Sequence, residues 1–450
     1  MALSAKPWSR LLVALALGGC GDGVGSSLHP ETGATPDDLG ELQPAPGPWH
    51  NLPIQEPCPA LDGAGPFAPL EGPFIPLGTE AIGNRERCTS VLHPTAGARG
   101  MLLRITLNQW GYQPADLLVS RPDATILARL RGANAGSSVD VRLQAAGEVL
   151  VVLGPSGEDA DGHPYSLAVE CLEACDTPYT RYPIVLMHGM GVTDTFFGVV
   201  DSFVSVKATL EEQGYQVLLP SVDPFAGTPE RSAQWAQVLN EHLAQGYARR
   251  FNLLAHSQGG LDARFLVAGL AYGPVIASIT TLSTPHRGTA VADLMSGAVS
   301  EPSVSQALLD AAADLYAQLL GAGDQDISAS VASLTTEQMT IFNEQFPDEP
   351  TVRYFSWTGH SCGPLDFSCQ SIHNGEIVAT YFLPTFTILD LQGQANDGLV
   401  AVESARWGEF LGELPGDHGD VVGISTDLIP SFDHLAFFTG EARRLFDQGL

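Results

Sequence analysis

The string Ala255-His256-Ser257-Gln258-Gly259-Gly260 sets a serine among small residues. Phe251 to Ala255 reads as a buried strand, and a helical pattern runs from about Gln258 to Tyr272. A serine on a strand–turn–helix is the context of a nucleophile elbow, whose sharp turn needs small neighbours and lifts the hydroxyl above the sheet. Backbone N–H groups at the helix start favour negative charge developing on a substrate oxygen. The chemistry on offer is attack of Ser257 on a carbonyl carbon. Ala255 stands where glycine is commoner, a change that a small side chain allows.

A serine nucleophile needs a base, and the base needs a carboxylate to hold its tautomer. Downstream, Gln394-Ala395-Asn396-Asp397-Gly398-Leu399-Val400 is a turn carrying one acid, Asp397. Two histidines follow. His418 lies in the glycine-rich loop Gly416-Asp417-His418-Gly419-Asp420, as suits a mobile base. His434, in Ser431-Phe432-Asp433-His434-Leu435, opens the last helical stretch, where a structural role is the plainer reading. Upstream, His188-Gly189-Met190-Gly191 follows the apolar run Tyr182 to Met187. A loop in that place and the residue after the nucleophile can supply the two oxyanion N–H groups, here Met190 and Gln258. His188 and His256 read as loop-buttressing side chains.

These residues need a scaffold. From Pro178 onward buried strand runs alternate with helices: Tyr182–Met187, a helix near Ser202–Gln213, Gln216–Leu219, a helix from Thr228-Pro229 to about Ala244, Phe251–Ala255, and Val275–Leu282. That alternation predicts a doubly wound, mostly parallel α/β sheet. Residues 77–175 instead carry short β-type runs between turns, including Met101–Leu107, Asp116–Ser120, Val139–Leu143, Glu148–Leu153 and Tyr165–Val169. They predict a small all-β sandwich with an accessory role. The organisation expected is 1–19 signal peptide, 20–76 Pro/Gly-rich tether, 77–175 sandwich and 176–450 catalytic α/β domain.

Composition narrows the partners. The chain of 450 residues has 51 acidic and 21 basic side chains, a formal charge of −30, which argues against nucleic acid. Lys6 and Lys207 are its only lysines, so no polybasic membrane patch forms. At the start, Lys6, Arg10 and the apolar Leu11–Leu17 resemble an export signal too short to span a bilayer. Leu17-Gly18-Gly19-Cys20 looks like a lipobox, which makes Cys20 the lipidation candidate and predicts an exported, membrane-anchored lipoprotein at the outer membrane or cell surface. Setting Cys20 aside leaves an even cysteine set, for which 58–88, 171–175 and 362–369 is the simplest of fifteen pairings.

Tyr182 to Leu450 resembles the bacterial true lipases of the pseudomonad type, within the α/β-hydrolase superfamily. The resemblance rests on Tyr182–Met190, Asn252–Gly260, Ser283-Thr284-Pro285-His286-Arg287-Gly288-Thr289, Phe342–Pro347, Tyr354–Gly359 and Asn396–Val400, all in the family's order. It implies Ser257 as nucleophile, Asp397 as triad acid and His418 as base. It also implies a structural calcium ion. The Asp two residues after the base, Asp420, is one ligand, and Asp366, in Pro364-Leu365-Asp366-Phe367-Ser368, best matches the second, with Asp390 as rival. The family's disulfide near the acid is missing, since Glu403 stands at one of its positions. The family's dedicated folding chaperone is possible but not implied, and no organic cofactor is expected.

The same resemblance makes Leu294 to Met339, rich in Ala and Leu, a helical lid over the serine. The expected function is hydrolysis of lipid or ester substrates, foremost triacylglycerols. The alternatives are a short-chain esterase, a phospholipase, a polyester depolymerase, or a surface-binding lipoprotein without turnover.

Overall fold

The computed structural model describes residues 70–85, 89–111, 114–155, 163–191, 202–319, 331–424 and 432–450. The export signal, Cys20, most of the tether and the 58–88 cysteine pairing lie outside the described residues.

The first part is all β: β1 (Leu70–Glu71), β2 (Thr79–Arg85), β3 (Val91–Gly97), β4 (Leu102–Gln109), β5 (Ala115–Ser120), β6 (Ile126–Ala133), β7 (Ser137–Arg142), β8 (Gly147–Pro155) and β9 (His163–Glu173). They form a five-stranded sheet, β1-β3-β8-β5-β6, and a four-stranded sheet, β2-β9-β4-β7. Leu103, Ile105 and Leu107 of β4 point into one core while the residues between them stay partly solvated, the two-residue period of a half-buried strand. Leu117 and Val119 of β5 and Val149, Val151 and Leu153 of β8 fill the same core from the other sheet. Strands β2, β3 and β6 were not anticipated, and β3 explains why. His93 and Pro94 interrupt its apolar pattern, yet Pro94 is paired with Leu150 of β8.

The second part holds β10 (Ile184–Met187), β11 (Val217–Leu218), β12 (Phe251–His256), β13 (Ile276–Leu282), β14 (Arg353–Gly359) and β15 (Glu409–Leu414). Their order is β11-β10-β12-β13-β14-β15. Every pairing is parallel. Buried on both faces, β10 is continuously apolar, while β12 and β13 also bury Asn252, Ser278, Thr280 and Thr281. Ile184, Leu186 and Leu254 face one core, while Val185, Met187, Leu253 and Ala255 face the other.

The chain leaves β10 toward β11 on one side and returns to β12 on the other. That reversal opens a crevice at the carboxyl ends of β10 and β12, where an open α/β sheet binds its ligands. The loops at 188–191 and 256–258 emerge there.

Several boundaries moved. Helix Thr228–Ala244 is capped by Gly227, so Thr228 is already helical. The helix after the serine ends at Ala268. Of the stretch from Leu294 to Met339 expected to be helical, residues 320–330 lie outside the described residues, and the rest falls in helices Ala290–Met295, Gln306–Leu319, 331–333 and Thr336–Gln345 and the turns between them. The two parts of the chain meet at Glu148 of β8, buried and bonded to Arg181 at 2.9 Å and to Arg249 at 2.6 Å. A buried carboxylate needs that compensation. Disulfides join Cys171 to Cys175 and Cys362 to Cys369.

Candidate active site

Ser257 stands between β12 and helix Gln258–Ala268 with φ 53 and ψ −126, a strained conformation for a residue with a side chain. The turn is held where the chains approach closely. A Cβ on Gly259 would come 2.6 Å from the carbonyl oxygen of Met187, and one on Gly189 would come 2.8 Å from Cβ of Ser257. Glycine is therefore required on both sides of the hydroxyl.

His418 Nε2 lies 3.0 Å from Ser257 Oγ, and its Nδ1 lies 2.8 Å from Asp397 Oδ2. Asp397 is fully buried. Its other oxygen, Oδ1, accepts N–H bonds from Leu399 at 3.0 Å and Val400 at 2.8 Å, which fixes the carboxylate plane. The His418 N–H donates to the Asp397 carbonyl at 2.8 Å, so acid and base loops are joined through the backbone as well. His434 is elsewhere: it starts helix His434–Asp447 and bonds Val204 through Nε2.

Behind the serine, His256 Nε2 faces the His418 carbonyl at 3.0 Å, and the two rings are 4.7 Å apart. A ring nitrogen facing a carbonyl must donate, so His256 supports the base from behind. Full burial keeps this imidazole far below its ordinary pKa, and hence neutral, with the His418 charge adding to the effect.

Met190 and Gln258 line the same pocket as Ser257 and His418. Their loop rests on a buried network. Arg231 donates to the His188 carbonyl at 2.6 Å, to the Asp223 carbonyl at 2.9 Å and to Asp262 Oδ2 at 2.7 Å. Complete burial lifts the Asp262 carboxyl to about 6, with the Arg231 charge pulling the other way. His188 accepts the Val222 N–H at Nε2 and faces the Gly189 carbonyl at Nδ1, as a neutral ring does. Burial first, then Arg231, lowers its pKa to about 4. Nothing in the sequence marked Arg231 or Asp262, which sit on two ordinary-looking helices.

The rest of the pocket wall is apolar, with Leu334, Phe382, Leu399, Val400 and Ile424 among its residues. Leu334 comes from the segment expected to form a lid.

Of the two aspartates expected to ligate a metal, Asp420 lies in a buried carboxylate group and Asp366 does not. Asp420 is buried beside Asp417 and Glu376, and the three offer carboxylate oxygens within 4.8 Å of one another. Asp366 is not in that group. Its exposed carboxylate caps helix Phe367–Ile372, accepting from Ser368 N at 3.1 Å and Cys369 N at 3.0 Å. Those bonds, that to Cys369 foremost, hold its pKa below the usual value. The rival Asp390 is exposed on helix Leu383–Leu391. A local Leu-Asp-x-Ser string reads equally well as an N-cap, and here it is one. Glu376 carries no such string. Asp417 could have been noticed as the residue before the base.

Three buried carboxylates suit a hard divalent cation. Burial first, and then the Asp420 charge, push the Asp417 carboxyl well above its ordinary pKa. The carboxylates also tie it to the site: Asp417 accepts from Ala379 N at 3.0 Å and from Gly419 N at 2.8 Å, on the two segments flanking His418.

No family model matches the chain. A triacylglycerol lipase of Vibrio cholerae is 33% identical over 251 residues, 52% of this chain and 76% of that protein. A triacylglycerol lipase of Burkholderia plantarii is 31% identical over 207 residues, 44% of this chain and 56% of that protein. One of Pseudarthrobacter phenanthrenivorans is 34% identical over 176 residues, spanning 37% of this chain and 54% of the relative. The chain thus spans just over half the length of these last two relatives. Among solved structures, the mature Bacillus licheniformis lipase BlEst2 is similar with a TM-score of 0.43 and 21% identity, covering 58% of this chain and 91% of that one.

Proposed function

Because the chain belongs to the family of bacterial triacylglycerol lipases, we propose that it is a carboxylic ester hydrolase, acting on triacylglycerols through an acyl-enzyme formed on Ser257. The observation that carries this reading is the continuous relay Ser257–His418–Asp397, with contacts of 3.0 and 2.8 Å, opening into an apolar pocket.

In this mechanism His418 Nε2 takes the proton of Ser257 Oγ as oxygen attacks the ester carbonyl carbon. The carbonyl π-pair moves onto oxygen, where the Met190 and Gln258 N–H groups stabilise it. His418 then gives its proton to the leaving alcohol, and water repeats the sequence on the acyl-enzyme. Asp397, held by Leu399 and Val400, keeps His418 in the productive tautomer. Leu334, Phe382 and Val400 offer apolar surface to the acyl chain. The segment from 294 to 339, which contributes Leu334, acts as the lid.

Calcium belongs to this proposal, with a ligand set that differs from the one the resemblance implies. Asp420, Glu376 and Asp417 would hold it, and its contribution is to keep the His418 loop in place rather than to react. Export and anchoring through a lipid on Cys20 also belong to the proposal and rest on the sequence alone. A fluorophosphonate probe tests the core of the reading. Labelling of the full chain, lost in Ser257→Ala and slowed in His418→Ala, is expected. An unlabelled wild type leaves a non-catalytic binding protein.

A further inference from the structure

Beside the triad and the carboxylate cluster, the chain carries a second group of ligating side chains, all half-buried. His360 follows the end of β14, and His373 ends the helix Phe367–Ile372 that the Cys362–Cys369 disulfide pins back to that strand. The two imidazoles are 4.0 Å apart between ring centres and tilted by 42°. One ring nitrogen of each lies within 4.8 Å of the other and of Cys369 Sγ, and all three residues are half-buried, reachable from solvent. We propose that His360 and His373 form a binding site for a borderline divalent transition-metal ion such as zinc(II), separate from the carboxylate cluster.

The neighbouring groups support that chemistry. His360 Nδ1 is 2.7 Å from Glu413 Oε2, and Glu413 also approaches Arg406 at 3.6 Å. A histidine that donates one N–H to a carboxylate presents the other nitrogen's lone pair outward, the arrangement that usually backs a metal-bound imidazole. The sulfur of Cys369 is bonded to Cys362 and offers only a weak donor, so the ion keeps water in its remaining positions. Imidazole nitrogen selects zinc, copper or nickel over calcium, which prefers oxygen.

An ion here would act on the acid loop. The His360 N–H donates to the Leu414 carbonyl at 2.8 Å, and the next N–H, of Ser361, donates to the Asn396 carbonyl at 3.0 Å, one residue before Asp397. Bridging His360 to His373 therefore ties the disulfide-clipped segment to the strand that braces Asp397.

The test is calorimetric titration of the full chain with zinc chloride in saturating calcium, so that oxygen ligands are already occupied. One zinc per chain is expected for wild type. His360→Gln and His373→Gln should each weaken binding at least tenfold, and Glu413→Gln by about 10–100-fold. Melting curves separate lost ligation from lost folding: each variant should melt like wild type without zinc and lack the zinc-dependent rise. Absence of zinc binding in wild type, or equal affinity in His373→Gln, would overturn the proposal. Neither readout depends on ester turnover, so it stands or falls apart from the hydrolase reading.

Discussion

The Asp397 carboxylate meets His418 Nδ1 at 2.8 Å from a position wholly shielded from solvent, with its second oxygen taken by two backbone N–H groups. An asparagine there would keep the shape but offer the wrong partner to Nδ1. Asp397→Asn is therefore expected to lower kcat by roughly 10⁴-fold while leaving KM and the melting temperature near wild type. Ester hydrolysis kinetics on the purified variant check this. A loss below tenfold would mean that Asp397 does not orient the base.

Arg231 and Asp262 form a fully buried pair that also holds the His188 carbonyl in the loop that carries Met190. Removing one partner strands the other charge in the core. Arg231→Met should cost about 3–5 kcal/mol of stability, read from urea unfolding. The remaining folded fraction should hydrolyse esters more slowly through kcat, because the Met190 N–H loses its backing.

The pH dependence of His188 follows from its pKa of about 4 against an ordinary 6.5. The neutral ring stabilises the fold fully above pH 6.5. As pH falls from 6.5 toward 4, the unfolded chain binds a proton that the folded chain refuses, and that stabilisation is lost. Asp262, raised to about 6, acts in the opposite sense, so the wild-type curve alone does not isolate the effect. The difference between wild type and His188→Gln does. Their gap in unfolding free energy should shrink by about 1.4 kcal/mol for each pH unit below 6.5. A gap that stays constant from pH 7 to pH 4.5 would contradict a neutral buried His188.

Calcium removal should act through stability first. Chelation is expected to lower the melting temperature, by about 2–4 °C for each kcal/mol lost, with activity falling in step. Asp420→Asn should abolish that response. Asp366→Ala should leave it intact and cost only about 1 kcal/mol, the usual loss for a helix cap. The reverse pattern would restore Asp366 as the ligand.

The parallel sheet was readable because its strands are buried on both faces. Ile184-Val185-Leu186-Met187 is an uninterrupted apolar run and Phe251–Ala255 is broken only by Asn252, and both strands end within two residues of the expected bounds. Strand β3 was not readable, because His93 and Pro94 disguise it; their place is justified only by partners distant in sequence, such as Tyr165 Oη at 2.8 Å from His93 Nε2. Within the site, Ser257, Asp397 and His418 announce themselves through local turn chemistry. Glu376 does not. It joins Asp417 and Asp420 through the tertiary course of the chain, and it accepts from Ser361 Oγ, fifteen positions away, at 2.9 Å. Local strings report what a turn requires. A charge cluster assembled from separate loops leaves no such trace.

The most direct measurement is hydrolysis of emulsified long-chain glycerol esters beside soluble short-chain ones, in wild type and Ser257→Ala. Turnover of the long-chain emulsion by wild type, abolished in Ser257→Ala, is the predicted result. Turnover of neither substrate by wild type, or unchanged turnover in Ser257→Ala, would contradict it.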